Sequence, residues 1–499
     1  MILVLSMFTS CTSGSDNGKS TSKDTPEETK EPVAEKEPVT LTMMVQSHPS
    51  WPLKEDWLVW KLHDKNANVK LEVSGYQGNW WEAIPLIVAS GDMPDLMWMV
   101  KDDAIKYGEQ GAVEDLLGHL DEMPNLKAFM AEYPEEVPPM LSVDGKMYLH
   151  PSHGAYGEYD GIMLYRKDIF EKNQLELPKN YDELYATMQK LKELYPESTP
   201  LYFPSLNYFD NFGISFGIAN GCFYDPESKT VKLGPAEDNY KTLLEFVVKA
   251  YQDKLIPIEF GNASGEKLDQ MLTTDKTFIF HGYEGWIDKY NQLMREENPD
   301  FTLAFMPPPA APDGTRYNAR QFLLGEGIAV TTTSKQKEAA IAYIDYLFTE
   351  EAREATSWGE EGTTFKAIDG IKEFLPVVPN STTAMIEFGI RTSGNTAWID
   401  TDALQALKSE EARAAYEEGL KYMAPMSILP PLTKEENDAI TIKKEAVGKY
   451  CDETISKFVL GQKSLDEWDE YVKQLKKLGM DDILKVYNDA EARRQQQGQ

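Results

Sequence analysis

Three constellations in this chain of 499 residues combine residue types and spacings that could do chemistry. Gly213-Ile-Ser-Phe-Gly217 spells G-x-S-x-G, the sharp turn that lifts a serine nucleophile above a sheet. A hydrolase of that kind needs an acid and then a histidine further along the chain. Of the six histidines only His281 follows Ser215, so a packing turn of small residues is expected in place of a catalytic triad. His150, His153, Glu158 and Asp160 offer the imidazoles and carboxylates that zinc takes, but they string along a loop rather than one helix face, and no metal site is expected. The 82 Asp and Glu could hold a glycosidase pair, yet no spacing singles one out. What remains is binding chemistry. Ten Trp and 25 Tyr offer flat rings for the C–H face of a pyranose, and carboxylates, amides and arginines can address its hydroxyls.

Those groups must be carried by a scaffold, and length bounds it: beyond about 250–300 residues a single core stops growing, so two lobes are expected. Hydrophobic residues make up 41% of the chain, and 50 Lys and Arg against 82 Asp and Glu leave a formal charge of -32. That charge repels nucleic-acid phosphates and excludes a nucleic-acid partner, though it names no ligand. Cys11, Cys222 and Cys451 contain no pair spaced as a zinc knuckle or a redox motif. Cys222 and Cys451 remain for a disulfide or as buried thiols.

Residues 1–10 read as a signal peptide: the apolar run MILVLSMF is followed by the small pair Thr9-Ser10 and then Cys11. The segment resembles a lipoprotein signal, in which Cys11 becomes the lipidated first residue. Phe8 stands where Leu is usual and no Lys or Arg precedes the run, so the true start codon is expected upstream. Residues 11–38 hold almost no large apolar group and should form the lipid anchor and a disordered tether, because they bury too little surface to offset chain entropy. No later segment has the apolar length of a membrane span.

From Val39 the pattern becomes strand, helix, strand, which argues an α/β sheet with covered faces. Strands are expected at VTLTMMV from Val39, at Val69, over Leu96–Val100, Gly161–Tyr165, Thr199–Phe203, Phe278–Phe280, Thr302–Phe305 and Gly327–Val330. Helices are expected over Lys54–Lys65, Tyr181–Leu194, Asn239–Asp253 and Lys335–Thr349. Beyond Glu350 helices dominate, at Ala403–Met423, Glu435–Leu460 and Ser464–Lys477, and the end from Ala490 reads as a frayed tail.

Several blocks resemble the family 1 extracellular solute-binding proteins, the maltose-binding-protein-like receptors of ABC importers. Ala89-Ser-Gly-Asp-Met-Pro-Asp-Leu96 is similar to their SGD-x-PD turn. Leu164-Tyr-Arg-Lys-Asp168 with Leu177-Pro178 and Tyr181-Asp-Glu-Leu184 resembles the YNKD…PxTWDEL segment. Phe278 to Trp286, Phe305-Met-Pro-Pro308 and Gly325-Glu-Gly-Ile-Ala-Val330 follow in the family's order, with Tyr283-Glu284 a departure. Leu465-Asp-Glu-Trp-Asp-Glu-Tyr471 looks like the longer lipoprotein subgroup of Gram-positive bacteria.

The resemblance implies a type II periplasmic-binding-protein-like fold, with two α/β lobes joined by crossing strands and a helical C-terminal region. It divides the chain into lobe 1 (39–155 and 306–348), lobe 2 (156–305 and 349–490) and a tail (491–499), with crossings between His150 and Gly161, near Pro307 and near Thr349. The implied cargo is a carbohydrate, with an oligosaccharide favoured by the many rings. The implied partners are ABC permease subunits, with a membrane met only through the lipid. A monomer without cofactor or catalytic activity is expected, localised outside the cytoplasm. A peptide receptor of the same architecture is the alternative, a secreted hydrolase the remoter one. The implied ligand-binding residues are Trp51 after the first strand, Asp102 and Asp103 after the third, Tyr156 and Glu158 on the first crossing, Tyr208 and Phe209 in an aromatic wall, and Trp286 as the stacking tryptophan. Trp358 and Glu361 after the third crossing and Arg320 complete the set, with Trp398 more at home in a core.

Overall fold

The computed structural model describes residues 37–48, 51–154, 161–259, 261, 265–320 and 325–497. Cys11, the tether, Tyr156, Glu158 and Asp160 lie outside these residues. Twelve strands are described: β1 (Val39–Gln46), β2 (Val69–Tyr76), β3 (Leu96–Val100), β4 (Ile162–Arg166), β5 (Leu201–Tyr202), β6 (Cys222–Asp225), β7 (Thr230–Leu233), β8 (Ile279–Gly282), β9 (Leu303–Phe305), β10 (Glu326–Val330), β11 (Phe365–Ile368) and β12 (Ile371–Phe374).

The first sheet has the order β10-β3-β1-β2. β1 runs parallel to β2 and β3, and β10 runs antiparallel to β3. The alternation in β1 and β2 buries Leu41, Met43, Val45, Val69, Leu71 and Val73 while Thr40, Thr42, Lys70 and Glu72 stay exposed. β3 lies between two neighbours and is buried from Leu96 to Met99, so its sequence is a continuous apolar run. Asp95, just before β3, accepts from Thr42 N at 2.9 Å and Ser334 Oγ at 2.6 Å, fixing the Asp92–Asp95 turn to β1 and to the segment after β10.

The second sheet has the order β5-β8-β4-β9. Alternate residues of β4 enter different cores: Met163 and Tyr165 pack with helices Tyr181–Leu194, Asp238–Gln252 and Lys434–Val459, and Ile162 and Leu164 pack with Tyr290, Phe301 and Tyr416. Both faces are therefore covered. The long helix Lys434–Val459 starts at a capping box, with Thr433 and Glu436 each satisfying the other's backbone N–H, which contributes about 1 kcal/mol.

Every expected strand is present, and the antiparallel hairpins β6/β7 and β11/β12 are additional. The helix expected over Ala403–Met423 is two, Thr401–Ala406 and Glu410–Leu420, because Ser409 caps a new start by accepting from Ala412 N. The expected frayed tail is instead helix Met480–Gln497. It is held by buried Ala490 and by Arg493, whose guanidinium forks onto Glu436 at 2.6 and 3.0 Å.

The hydrophobic clusters show which core some residues near the expected crossings join. Met306 and Ala311 pack with the second sheet, and Asn318 donates to Gly419 O, so the chain keeps contact with the second core as far as Asn318, past the crossing expected near Pro307. Ala352 and Ala397 pack with the first sheet, and Trp57 Nε1 donates to Ile386 O at 2.8 Å. Ala352, Ile386 and Ala397 thus lie with the first sheet although they follow the crossing expected near Thr349. Tertiary burial decides this, since local pattern does not say which core a helix joins.

Candidate ligand-binding site

The crossings meet each sheet along one edge. The first leaves beside β10, where the Nε2 of His150 accepts from Ile328 N at 2.9 Å, and enters β4 against the end of β8, where Ile162 pairs with Gly282. The second arrives at Gly325, whose carbonyl accepts from Lys101 N. The third starts where His153 and Ile399 exchange backbone hydrogen bonds with their neighbours and ends where Ser409 N donates to Asp288. The edge facing the crossings in the first lobe therefore comprises the ends of β1, β2 and β3 and the start of β10. In the second lobe it comprises the start of β4 and the ends of β5 and β8.

Aromatic residues collect on both edges. After β1, Trp51 stacks on His48 with ring centroids 3.8 Å apart and planes at 12°. At the end of β2, Tyr76 contacts Trp80, and Trp80 and Trp81 both pack on Trp98 of β3. Trp80 and Trp98 are buried, whereas Tyr76 and Trp81 keep exposed faces. Across the crossings, Trp286 is half-buried with Phe280 stacked beneath it at 6.1 Å and Tyr283 and Tyr290 edge-on. Gly282 makes this possible, since a Cβ there would lie 2.5 Å from the indole. Tyr208 packs edge-on against Tyr202, and burial, with Tyr202 and Tyr283 nearby, pushes its phenol up to about 12.

Carboxylates stand beside the first aromatic edge. Asp102 and Asp103 occupy the first turn of helix Lys101–Glu109, which follows β3 directly. Asp102 is fully exposed, and burial raises the Asp103 pKa, partly offset by Lys106. Glu326 opens β10 opposite Val100, and burial pushes its carboxyl up to about 7. Glu326, Tyr76, Trp81 and Tyr283 were not among the residues expected from sequence and stand on the same edges. Their signal was position alone: each stands at a strand end or just beyond it.

Other expected site residues are elsewhere. Phe209 is fully buried and stacks on Tyr240 at 4.7 Å, so it is core beneath Tyr208. Trp358 is also core, packed on Phe365 and Phe374 with its Nε1 donating to Asp400. Glu361 is exposed and accepts from Ala367 N by the β11/β12 hairpin. Arg320 is exposed on the second crossing, and Trp398 packs edge-on against Phe129.

The reactive constellations are structural where described. Ser215 is buried in a 3₁₀ turn and its Oγ accepts from Tyr317 N at 3.0 Å, which pins the root of the second crossing. His150 is enclosed, with Nδ1 3.0 Å from Pro151 O. Burial holds it near a pKa of 4, and the neutral Nδ1–H tautomer satisfies both contacts. Cys222 and Cys451 are free thiols. Among the described residues no cluster could hold a metal ion, and no helix is long and apolar enough to cross a membrane.

Residues 57–354 match the profile of the bacterial extracellular solute-binding proteins. The fructooligosaccharide ABC transporter substrate-binding protein FusA of Streptococcus pneumoniae is 25% identical over 496 positions, covering 91% of this chain and 90% of FusA. The alginate-binding protein AlgQ2, solved without calcium, superposes with a TM-score of 0.74 at 25% identity over 91% of this chain and 98% of that one. A solute-binding protein from Bifidobacterium longum infantis, described as binding HMO, shares the fold with a TM-score of 0.74 at 20% identity over 91% and 99% of the two chains. With its α/β sheets and this match, the chain belongs to the family 1 bacterial extracellular solute-binding proteins.

Proposed function

We propose that this chain is the capture subunit of an ATP-driven importer, which closes two lobes around an oligosaccharide and passes it to ABC permease subunits. The observation that carries the reading is the pair of aromatic edges, Trp51, Tyr76 and Trp81 on one lobe and Tyr208, Tyr283 and Trp286 on the other. Stacking rings on both sides suit a chain of pyranose or furanose units, each burying a C–H face at about 25 cal/mol per Å². The carboxylates Asp103 and Glu326 supply directional acceptors or donors beside them. The names of FusA, AlgQ2 and the HMO-binding protein point to glycan cargo.

The chain works as a monomer outside the cytoplasm, tethered by lipid on Cys11. Binding proceeds by hinge closure over the crossings. The direct test is thermal shift and calorimetry of the purified chain against mono- and oligosaccharides, with tripeptides as contrast. A ligand at one hundred times its dissociation constant adds about 2.7 kcal/mol. Shifts with peptides alone would overturn the carbohydrate reading. For the anchor, Cys11→Ser in the native gene should release the protein to the medium, and retention of the variant at the membrane would count against lipidation. For closure, small-angle scattering should show compaction at saturating sugar; superimposable curves would mean a rigid site.

A further inference from the structure

The segment from Gly389 to Ile399 packs against the end of β1 and reaches the start of the first crossing at His153. At its start, Gly389 (φ 75°) lies against the Trp57 indole, where a Cβ would come within 2.7 Å of the ring. Trp57 ends the loop that carries Trp51. Three residues before the first crossing contact, Gly394 lies against Val45, near the end of β1, and Trp60. At its end, Ala397 and Ile399 bond to His153 on the first crossing. Arg391 sits between the two glycine contacts, held in the left-handed backbone region at φ 57°. This is a conformation that a residue with a Cβ adopts at a cost, and such costs concentrate at binding sites.

The Arg391 guanidinium has an unusual environment. Its Nε and Nη2 are shielded from solvent and have no hydrogen-bond partner among the described residues. Burial alone holds its pKa down, to about 10. Buried polar groups are nearly always paired, and an exception calls for an explanation. Thr396 Oγ1, five residues on, is a second buried and unpartnered group of the same stretch. By contrast, the fully buried Arg166 is forked onto Asp168 at 2.8 and 2.7 Å and also reaches Asp275. Among the described residues no carboxylate forms an ion pair with Arg391, in a chain that has 82 Asp and Glu.

We infer that Arg391 is the counter-charge for a carboxylate on the ligand, so that the captured oligosaccharide is acidic, carrying uronate-type units. Guanidinium binds carboxylate through two parallel N–H···O bonds, which an ammonium does not reproduce. The two shielded donors, Nε and Nη2, form one such fork. In the unliganded protein that fork is idle; the ligand completes it.

This inference rests on the carbohydrate reading, and one experiment separates the two. Melting curves and calorimetry of the purified full chain would be run with trigalacturonate, oligoglucuronate and sialyllactose, with neutral galactotriose, kestose and lactose, and with tripeptides. The same set would be run on Arg391→Met and Arg391→Lys. The expected result is that acidic sugars raise the midpoint of the wild type, that Arg391→Met weakens them at least tenfold, and that Arg391→Lys recovers only part of the loss. Without ligand, Arg391→Met should melt at or above the wild-type temperature, since no partner is lost. A lower melting temperature for that variant would mean that the guanidinium is already satisfied, and would overturn the inference. Binding of neutral sugars only, or of both kinds with equal loss, would also overturn it while leaving the carbohydrate reading intact. Shifts with peptides only, or with nothing, would remove both.

Discussion

Lys408 Nζ lies 2.7 Å from Glu284 Oε1, with the two side chains only 14% and 15% exposed. Lys408 also covers the Tyr416 ring at 4.8 Å, and the next residue, Ser409, donates its backbone N–H to Asp288. These contacts fasten the end of the third crossing to the helix that carries Trp286. Lys408→Met should therefore cost about 1–3 kcal/mol, because Glu284 is left half-buried without its charged donor. Urea unfolding of both single variants and the double variant measures it. A coupling energy near zero in that cycle would show the pair to be idle.

Trp286 and Trp51 are half-buried on opposite edges, so each replacement should act on binding more than on folding. Trp286→Ala is expected to weaken sugar binding at least tenfold, with Trp286→Phe retaining part of it through the smaller ring. Calorimetry with a sugar that shifts the wild type would read this. Unchanged affinity in Trp286→Ala would remove the stacking role.

Phe209 supplies the opposite control. It is fully buried against Tyr240 and Phe203, and Phe209→Ala should cost about 3–5 kcal/mol while leaving the affinity of the folded fraction within a few-fold. A variant as stable as wild type but defective in binding would place Phe209 in the site after all.

Stability should fall between pH 6.5 and pH 4. His63 is enclosed, with Nε2 3.0 Å from Asn395 Oδ1 and Nδ1 3.1 Å from Tyr346 Oη, and burial holds it and His150 near a pKa of 4. In this window the unfolded chain takes up protons that the folded one refuses, so stability rises with pH and is fully present above 6.5. Each histidine contributes up to about 3 kcal/mol across it. Urea midpoints at successive pH values should show a shallower slope in His63→Gln than in wild type, and parallel slopes would contradict the assignment.

Glu326 works in the other sense. Its raised pKa means that the folded state holds a proton which the unfolded state releases above pH 4.5, so its contribution is present at low pH and lost as pH rises through about 7. The advantage of Glu326→Gln over wild type should grow between pH 5 and pH 8.5. An advantage that shrinks over that range would reverse the sign argued here.

The alternation of β1 and the continuous apolar run of β3 were legible because burial on one face or two writes a different pattern into a strand. Helix Tyr181–Leu194 was legible in the same way, with Asn180 capping it by accepting from Glu183 N. The site was only partly so. Trp51 and Trp286 each follow a strand, and that position made them candidates in the sequence. Phe209 and Trp358 have the same residue chemistry as their site neighbours, and only packing separates wall from core.

By itself the sequence determined the element types, the two-lobe α/β class and the order of blocks that places the chain in its family, since these follow from local periodicity and residue type. Tertiary structure alone decided that Ala352 and Ala397 join the first core, that the tail is a helix locked by Arg493 on Glu436, and that Arg391 Nε and Nη2 are buried without a hydrogen-bond partner among the described residues. Each of these depends on which distant surfaces come into contact and exclude water, and that information is spread over residues tens to hundreds of positions apart.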